Sequence, residues 1–157
     1  MSNNRLILSL ASSRAGGWIF ARILHVIDRF VFRVSNGRFF VTSLLTGLPV
    51  VMLTTTGAKS GARRTVPLVG IRDGEKVVLI ASYYGSTHHP NWYHNLRVHP
   101  EAALSIDGRS MNNIARKAAP PEYDRYWEQA VSLYVGYAAY KSRTGGRRIP
   151  IMVMTPC

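Results

Sequence analysis

Leu53-Thr54-Thr55-Thr56-Gly57-Ala58-Lys59-Ser60-Gly61-Ala62-Arg63-Arg64-Thr65-Val66-Pro67-Leu68 is the stretch around which the chain is organised. An apolar, β-branched run (Val50 to Leu53) enters it, and Thr65, Val66, Leu68 and Val69 leave it. Between them Gly57 and Gly61 frame a turn carrying Lys59, Ser60, Arg63 and Arg64. Glycine permits backbone shapes that expose consecutive N–H groups, and such concave runs bind anions. Lysine adds a point charge, and arginine a planar fork that grips phosphate or carboxylate. The stretch reads as a strand–turn–strand clamp for a polyanion, or as an ordinary hairpin with a solvated basic tip. It is not a nucleotide P-loop, because Ala58 precedes Lys59 where that motif needs glycine, and a Pro-bearing β run follows.

Working outward, Asp73-Gly74 and Asp107-Gly108 are hairpin signals. They define strands at Val50–Thr55, Arg64–Ile71, Lys76–Tyr83, Ala102–Ile106 and Arg109–Ala118, with a last strand at Ile149–Met154. A loop over residues 84–90 leads to a short helix, Asn91–Val98, and Pro120-Pro121-Glu122 opens a helix running to Tyr140. Hairpin-linked strands with helices inserted late predict an α+β fold, a six-stranded antiparallel barrel flanked by helices.

Upstream, residues 18–34 carry a helical period that puts Arg22, Arg29 and Arg33 on one face. Phe20, Ile23, Leu24, Ile27, Phe30, Val31 and Val34 fall on the other. Those arginines and Asp28 exclude a spanning helix. The segment is suited to lying on an anionic membrane or to capping its own domain's core. It divides the chain into an N-terminal helical segment, residues 1–34, and a barrel domain, residues 35–157. Residues 6–11 are too short and poorly flanked for a secretory signal.

The 157 residues hold 20 Lys+Arg against 8 Asp+Glu, a formal charge of +12 that favours an anionic partner. The basic residues are scattered and do not interleave with aromatics, so no nucleic acid is expected. The single cysteine, Cys157, excludes an internal disulfide and fits the cytoplasm, with peripheral attachment at the inner face of the membrane if the N-terminal segment binds lipid. His88, His89, His94 and His99 lack neighbouring carboxylates, and no metal site is expected. The densest chemical feature downstream is aromatic: Tyr123, Tyr126, Trp127, Tyr134, Tyr137 and Tyr140. Tyr134, Tyr137 and Tyr140 step by three along the late helix, either as core or as a wall with hydroxyls for a ligand.

Three motifs together, T-T-G-A-K-S-G-A-R-R-T-V-P-L, S-Y-Y-G…H-P-N-W-Y-H-N-L and the Tyr-rich helix before R-I-P-I, carry a resemblance. From about residue 25 to its end the chain resembles the deazaflavin-dependent nitroreductases, within the split β-barrel flavin/deazaflavin oxidoreductases. The resemblance implies a split barrel binding reduced coenzyme F420, a 5-deazaflavin with a phosphate and an oligoglutamate tail, with FMN the lesser candidate. It implies hydride transfer to a quinone, a nitroaromatic or another activated unsaturated acceptor. The alternative is a flavin- or lipid-binding split barrel without turnover.

By the same similarity, Lys59, Ser60, Gly61, Arg63, Arg64 and Thr65 hold phosphate and tail, and Val66 and Pro67 line the approach to the ring. Ser82, Tyr83, Tyr84 and Gly85 surround the deazaflavin at the end of the third strand. Pro90, Asn91, Trp92 and Asn95 form the cofactor-facing loop and helix start. Tyr134, Tyr137 and Tyr140 match the substrate wall. Tyr137 is the first choice for a hydroxyl that orients or protonates the acceptor, and Ser82 the second. Ala58 stands where many members carry arginine.

Overall fold

The computed structural model describes residues 47–157, together with Arg22, Ile23, Val26, Ile27, Phe30 and Val31, all six in helical conformation. The remaining residues of the expected N-terminal amphipathic helix, Arg29 and Arg33 among them, lie outside the described residues. Six strands form a closed barrel in the order β1-β2-β3-β6-β5-β4, every pair antiparallel. They are β1 (Val50–Thr56), β2 (Arg63–Asp73), β3 (Lys76–Ile80), β4 (Glu101–Ile106), β5 (Arg109–Lys117) and β6 (Ile151–Pro156). β1-β2-β3 is a meander, β4-β5 a hairpin, and β6 closes the gap between them. The Asp107-Gly108 loop has positive φ at both positions (50° and 79°), the geometry a tight hairpin demands.

Alternation along each strand creates two cores. Val51, Leu53, Val77, Leu79, Ala102, Leu104, Met152 and Met154 point into the barrel. The helix α1 (Asn91–Val98) closes one end, adding Trp92, Tyr93 and Leu96 to that core. The opposite parity, Ile71, Val78, Ile80, Ile151 and Val153, faces out and is covered by α2 (Pro120–Leu133) and α3 (Gly136–Arg143). Each fully buried aliphatic side chain contributes roughly 1.5–3 kcal/mol.

At the start of α2, Glu122 accepts the Ala119 N–H and is gripped by both Nη atoms of Arg116 at 2.7 Å, contacts that draw its carboxyl down to about 2. Farther along, the fully buried Tyr126 donates its hydroxyl to Asp73, pinning α2 to the β2–β3 hairpin.

Two expectations are corrected. The third strand stops at Ile80 instead of Tyr83. Ladder pairing runs out there: Ala81 N–H reaches the Pro150 carbonyl, but proline has no N–H to return. The Ala81 and Ser82 carbonyls turn instead to the Arg147 guanidinium. The late helix is not continuous to Tyr140 either. Tyr134 is extended (φ −146°), and the helix restarts at Gly136. A Cβ on Gly136 would collide with Cζ of Tyr134, so the corner exists because glycine lets that ring fold back over the backbone.

Candidate functional site

The strand register gathers the chemistry at one end of the barrel. Thr56 pairs with Arg63, Thr55 with Ala102, Lys117 with Met152, and Ile80 with Ile151. The Gly57–Ala62 turn, the segment 81–90, α1 and the approach to β6 therefore leave the barrel at the same end. The two Asp-Gly hairpins occupy the other.

In the basic turn, Gly57 N–H donates to the Ala62 carbonyl (2.8 Å) and Gly61 N–H to the Gly57 carbonyl (2.9 Å). Gly61 has φ +65°, and a Cβ there would meet nothing within 4 Å. Lys59, Ser60, Gly61, Arg63 and Arg64 are exposed, Thr65 and Val66 half-buried, and Pro67 buried. Among the described residues, Lys59, Arg63 and Arg64 have no acidic partner. Thr65 exchanges a hydroxyl bond with Thr54 (2.9 Å). The turn is held from below by the buried Asn95 of α1. Its Oδ1 accepts the Ala58 N–H (2.9 Å) and its Nδ2 donates to Thr55 Oγ1 (3.0 Å). Asn95 therefore spends its side chain on the turn's placement, and Trp92 is buried in the barrel core. Asn91 is exposed at the first position of α1, following the buried Pro90.

Beside this lies a turn of unusual backbone. Tyr83, Tyr84 and Gly85 take φ of 46°, 55° and 79°, consecutive left-handed residues. Only glycine adopts that region without cost; a bulky side chain there is strained by roughly 1–2 kcal/mol. Both tyrosines are exposed, Tyr83 by half, while Ser82 is buried. Gly85 lies against α3 so closely that a Cβ would be 2.8 Å from the Tyr140 carbonyl oxygen.

The structure brings Tyr134, Tyr137 and Tyr140 together across the α2–α3 corner rather than along one helix face. Their rings meet edge-on at centroid distances of 5.5–6.1 Å, and Tyr84 meets Tyr140 at 5.9 Å. All three belong to the outer core and are buried. Tyr134 and Tyr140 share a hydroxyl–hydroxyl bond of 3.1 Å. Among the described residues, no hydroxyl partner of Tyr137 is found. Burial pushes all three phenols up, so each is a hydrogen-bond donor and not an acid near neutrality.

Arg147 and His89 were not singled out from the sequence as site residues, yet they organise the tyrosine turn. Arg147 Nε donates to the Ser86 carbonyl (3.0 Å), Nη2 to Ser82 (2.8 Å), and Nη1 to Ala81 (3.2 Å) and His89 Nδ1 (3.0 Å). Nothing in R-R-I-P-I distinguishes this arginine from its exposed neighbour Arg148; only the fold does.

Comparison with known proteins places this geometry. Residues 27–156 match the family model described as F420H(2)-dependent quinone reductase. An F420H(2)-dependent quinone reductase of Mycobacterium tuberculosis is 34% identical over 129 residues, covering 80% of this chain and 85% of that one. Among solved structures, an F420-H2 dependent reductase is 36% identical with a TM-score of 0.62, covering 68% of this chain and 93% of that one. Another, described as a domain-swapped dimer, is 36% identical with a TM-score of 0.63, covering 68% and 79%.

Proposed function

The chain belongs to the F420H2-dependent quinone reductase family, and from that premise we propose how its own residues carry the reaction. The reading is an oxidoreductase that uses reduced coenzyme F420 and passes hydride to a quinone. Nitroaromatics and other activated unsaturated compounds are further acceptors. One observation carries it: an open turn with unneutralised Lys59, Arg63 and Arg64 leaves the same barrel end as the tyrosine turn.

The residues fit an anionic deazaflavin. Lys59, Arg63 and Arg64, with the open backbone at Ser60–Gly61 and the Thr65 hydroxyl, hold phosphate and glutamate carboxylates by charge-assisted hydrogen bonds. Val66 and Pro67 give the ring an apolar approach, and Ser82, Tyr83, Tyr84 and Gly85 border it. Pro90 and Asn91 complete the edge, while Trp92 and Asn95 act from beneath it.

When bound, the reduced coenzyme supplies a hydride to an electrophilic carbon of the acceptor. As a quinone accepts it, negative charge grows on the carbonyl oxygen, and a donor fixed beforehand stabilises that charge. Tyr137 offers its hydroxyl for this, with Ser82 second. Tyr134 and Tyr140 hold the acceptor's edge through their rings. Raised phenol pKa values make the Tyr137 contribution a hydrogen bond, and the proton itself comes from solvent.

Equilibrium titration of the purified protein with F420 and, separately, FMN tests the reading. Tight F420 binding with quinone-dependent oxidation of F420H2 supports it; FMN binding without turnover favours the flavin-binding alternative.

The N-terminal segment, residues 1–34, is read as a peripheral anchor on anionic membrane. Its support is that Ile23, Val26, Ile27 and Phe30 are helical yet exposed. No helix among the described residues is long and apolar enough to cross a membrane. Flotation with anionic but not neutral liposomes, weakened by salt, is the expected result.

A further inference from the structure

We propose that Arg147 is a positioning residue of the coenzyme site: its guanidinium holds Tyr83 and Tyr84 in their left-handed backbone, and the hold requires a neutral His89. The ligand half of this rests on the F420 reading; the mechanical half does not.

A left-handed stretch of two tyrosines does not persist unless its surroundings over-determine it. Here they do so from opposite sides. Below, Arg147 binds the carbonyls of Ala81, Ser82 and Ser86, which flank the strained residues on both sides. Above, Gly85 is locked against the Tyr140 backbone and the Arg143 side chain. Released from Arg147, the segment has no strand partner to fall back on, because Pro150, just before β6, lies at that level. The outward aim of the tyrosine side chains therefore depends on this guanidinium together with the Gly85 contact. Lysine, whose three donors radiate from one nitrogen, cannot span those carbonyls.

The fourth acceptor is the unusual one. A guanidinium only donates, so His89 Nδ1 must accept, which fixes the ring as the neutral tautomer protonated at Nε2. A second proton would remove the acceptor and set two cations 3.0 Å apart. The groups facing His89 offer no relief: Arg147 from the approach to β6, Tyr93, His94 and Arg97 from α1, and Lys117 from the end of β5. No carboxylate is among them. Desolvation, then Arg147, hold the imidazole below its usual 6.5. Because the folded form resists the proton that the unfolded chain accepts, this contribution is present above pH 6.5 and is lost as pH falls below it.

The test uses the full-length protein with Arg147→Lys and His89→Gln, whose Oε1 accepts at every pH. Amide hydrogen exchange of residues 82–89 is read by mass spectrometry, and F420 affinity by equilibrium titration over a pH series descending from 7.5. Arg147→Lys should speed exchange in that segment at least tenfold, leave the β1 and β6 amides unchanged, and weaken F420 about tenfold. As pH falls from 7.5 through the lowered pKa of His89, wild type should lose F420 affinity more steeply than His89→Gln. Both proteins meet the same ligand at each pH, so titration of the ligand cancels. Unchanged exchange in Arg147→Lys overturns the proposal, as does an acid loss that His89→Gln retains in full. Should Arg147→Lys not fold, the His89→Gln comparison decides alone. If wild type binds no F420 at any pH, the F420 reading fails, and the inference is judged on exchange, where no change sinks it.

Discussion

The turn from Gly57 to Ala62 is shaped largely by its own backbone, Gly57 N–H on Ala62 and Gly61 N–H on Gly57. The turn from Ser82 to His89 is shaped from outside, by a guanidinium 58 to 66 residues farther along the chain. The first keeps its charged side chains free and puts its left-handed residue where it costs nothing, at Gly61. The second puts left-handed φ on Tyr83 and Tyr84 and depends on Arg147 and α3 to sustain it. A binding group whose work is charge attraction tolerates a loose mount, because Coulomb attraction is not directional. A group that must present an aromatic edge at one angle does not.

The largest effect expected from breaking this contrast is on binding. Replacing Lys59 and Arg64 together by Ala should weaken F420 by roughly 2–4 kcal/mol, as charge-assisted bonds are lost. The melting temperature should stay put, since neither side chain has an acidic partner among the described residues. Fluorescence titration against a deazaflavin fragment without phosphate and glutamates is the control, and an equal loss there would reassign the turn.

Next comes a matched pair of glycines. Gly85→Ala adds strain at φ +79° and drives a Cβ to 2.8 Å from a backbone oxygen that cannot swing away. It should destabilise by about 2–3 kcal/mol in chemical denaturation. Gly61→Ala adds strain alone, at φ +65° with nothing within 4 Å, and should cost only about 1 kcal/mol. Equal costs would mean that the tyrosine turn is not packed as described.

The same contrast explains what was legible. Thr54 to Thr65 announces its turn because glycine, cation and β-branched residues carry their meanings locally, and both Asp-Gly hairpins formed for that reason. The barrel was legible from hairpin-linked strands with helices inserted late, signals that lie close together in the chain. What stayed hidden was set by distant partners. The strand end at Ile80 depends on Pro150, and the break at Tyr134 on a ring folding over Gly136. The tyrosine turn depends on Arg147, one arginine among many. Asn95, which similarity assigns to the cofactor, also bonds Thr55 and Ala58, a bond pair visible only once α1 is docked.

That docking makes a third test. Asn95→Ala leaves the Ala58 N–H and the buried Thr55 hydroxyl without their partner and should cost about 1–2 kcal/mol of stability. If the basic turn works through charge and tolerates a loose mount, F420 affinity should fall only severalfold, well short of the Lys59/Arg64 loss. A drop as large as theirs would show that the clamp needs a rigid frame after all, and would erase the distinction between the turns.

The smallest and sharpest test separates hydroxyls that lie within one cluster. Tyr137 and Tyr134 are both buried and touch at 5.5 Å, but only Tyr134 has a described hydroxyl partner, Tyr140 at 3.1 Å. Replacement by Phe keeps each ring and removes one oxygen, avoiding the cavity that Ala would leave. Tyr137→Phe should lower turnover with a quinone about tenfold, equivalent to roughly 1.4 kcal/mol of transition-state stabilisation, with melting temperature and F420 affinity nearly unchanged. Tyr134→Phe should do the reverse, lowering stability by about 1 kcal/mol through the lost bond and acting on the acceptor's KM more than on kcat. The two profiles differ because the Tyr134 hydroxyl already shares a bond with Tyr140, which its removal breaks, whereas removal of the Tyr137 hydroxyl breaks no described bond. If both variants kept full turnover across several quinones, the hydroxyls would be packing ornaments of the outer core, and the growing charge on the acceptor would have to be met from Ser82 or the tyrosine turn.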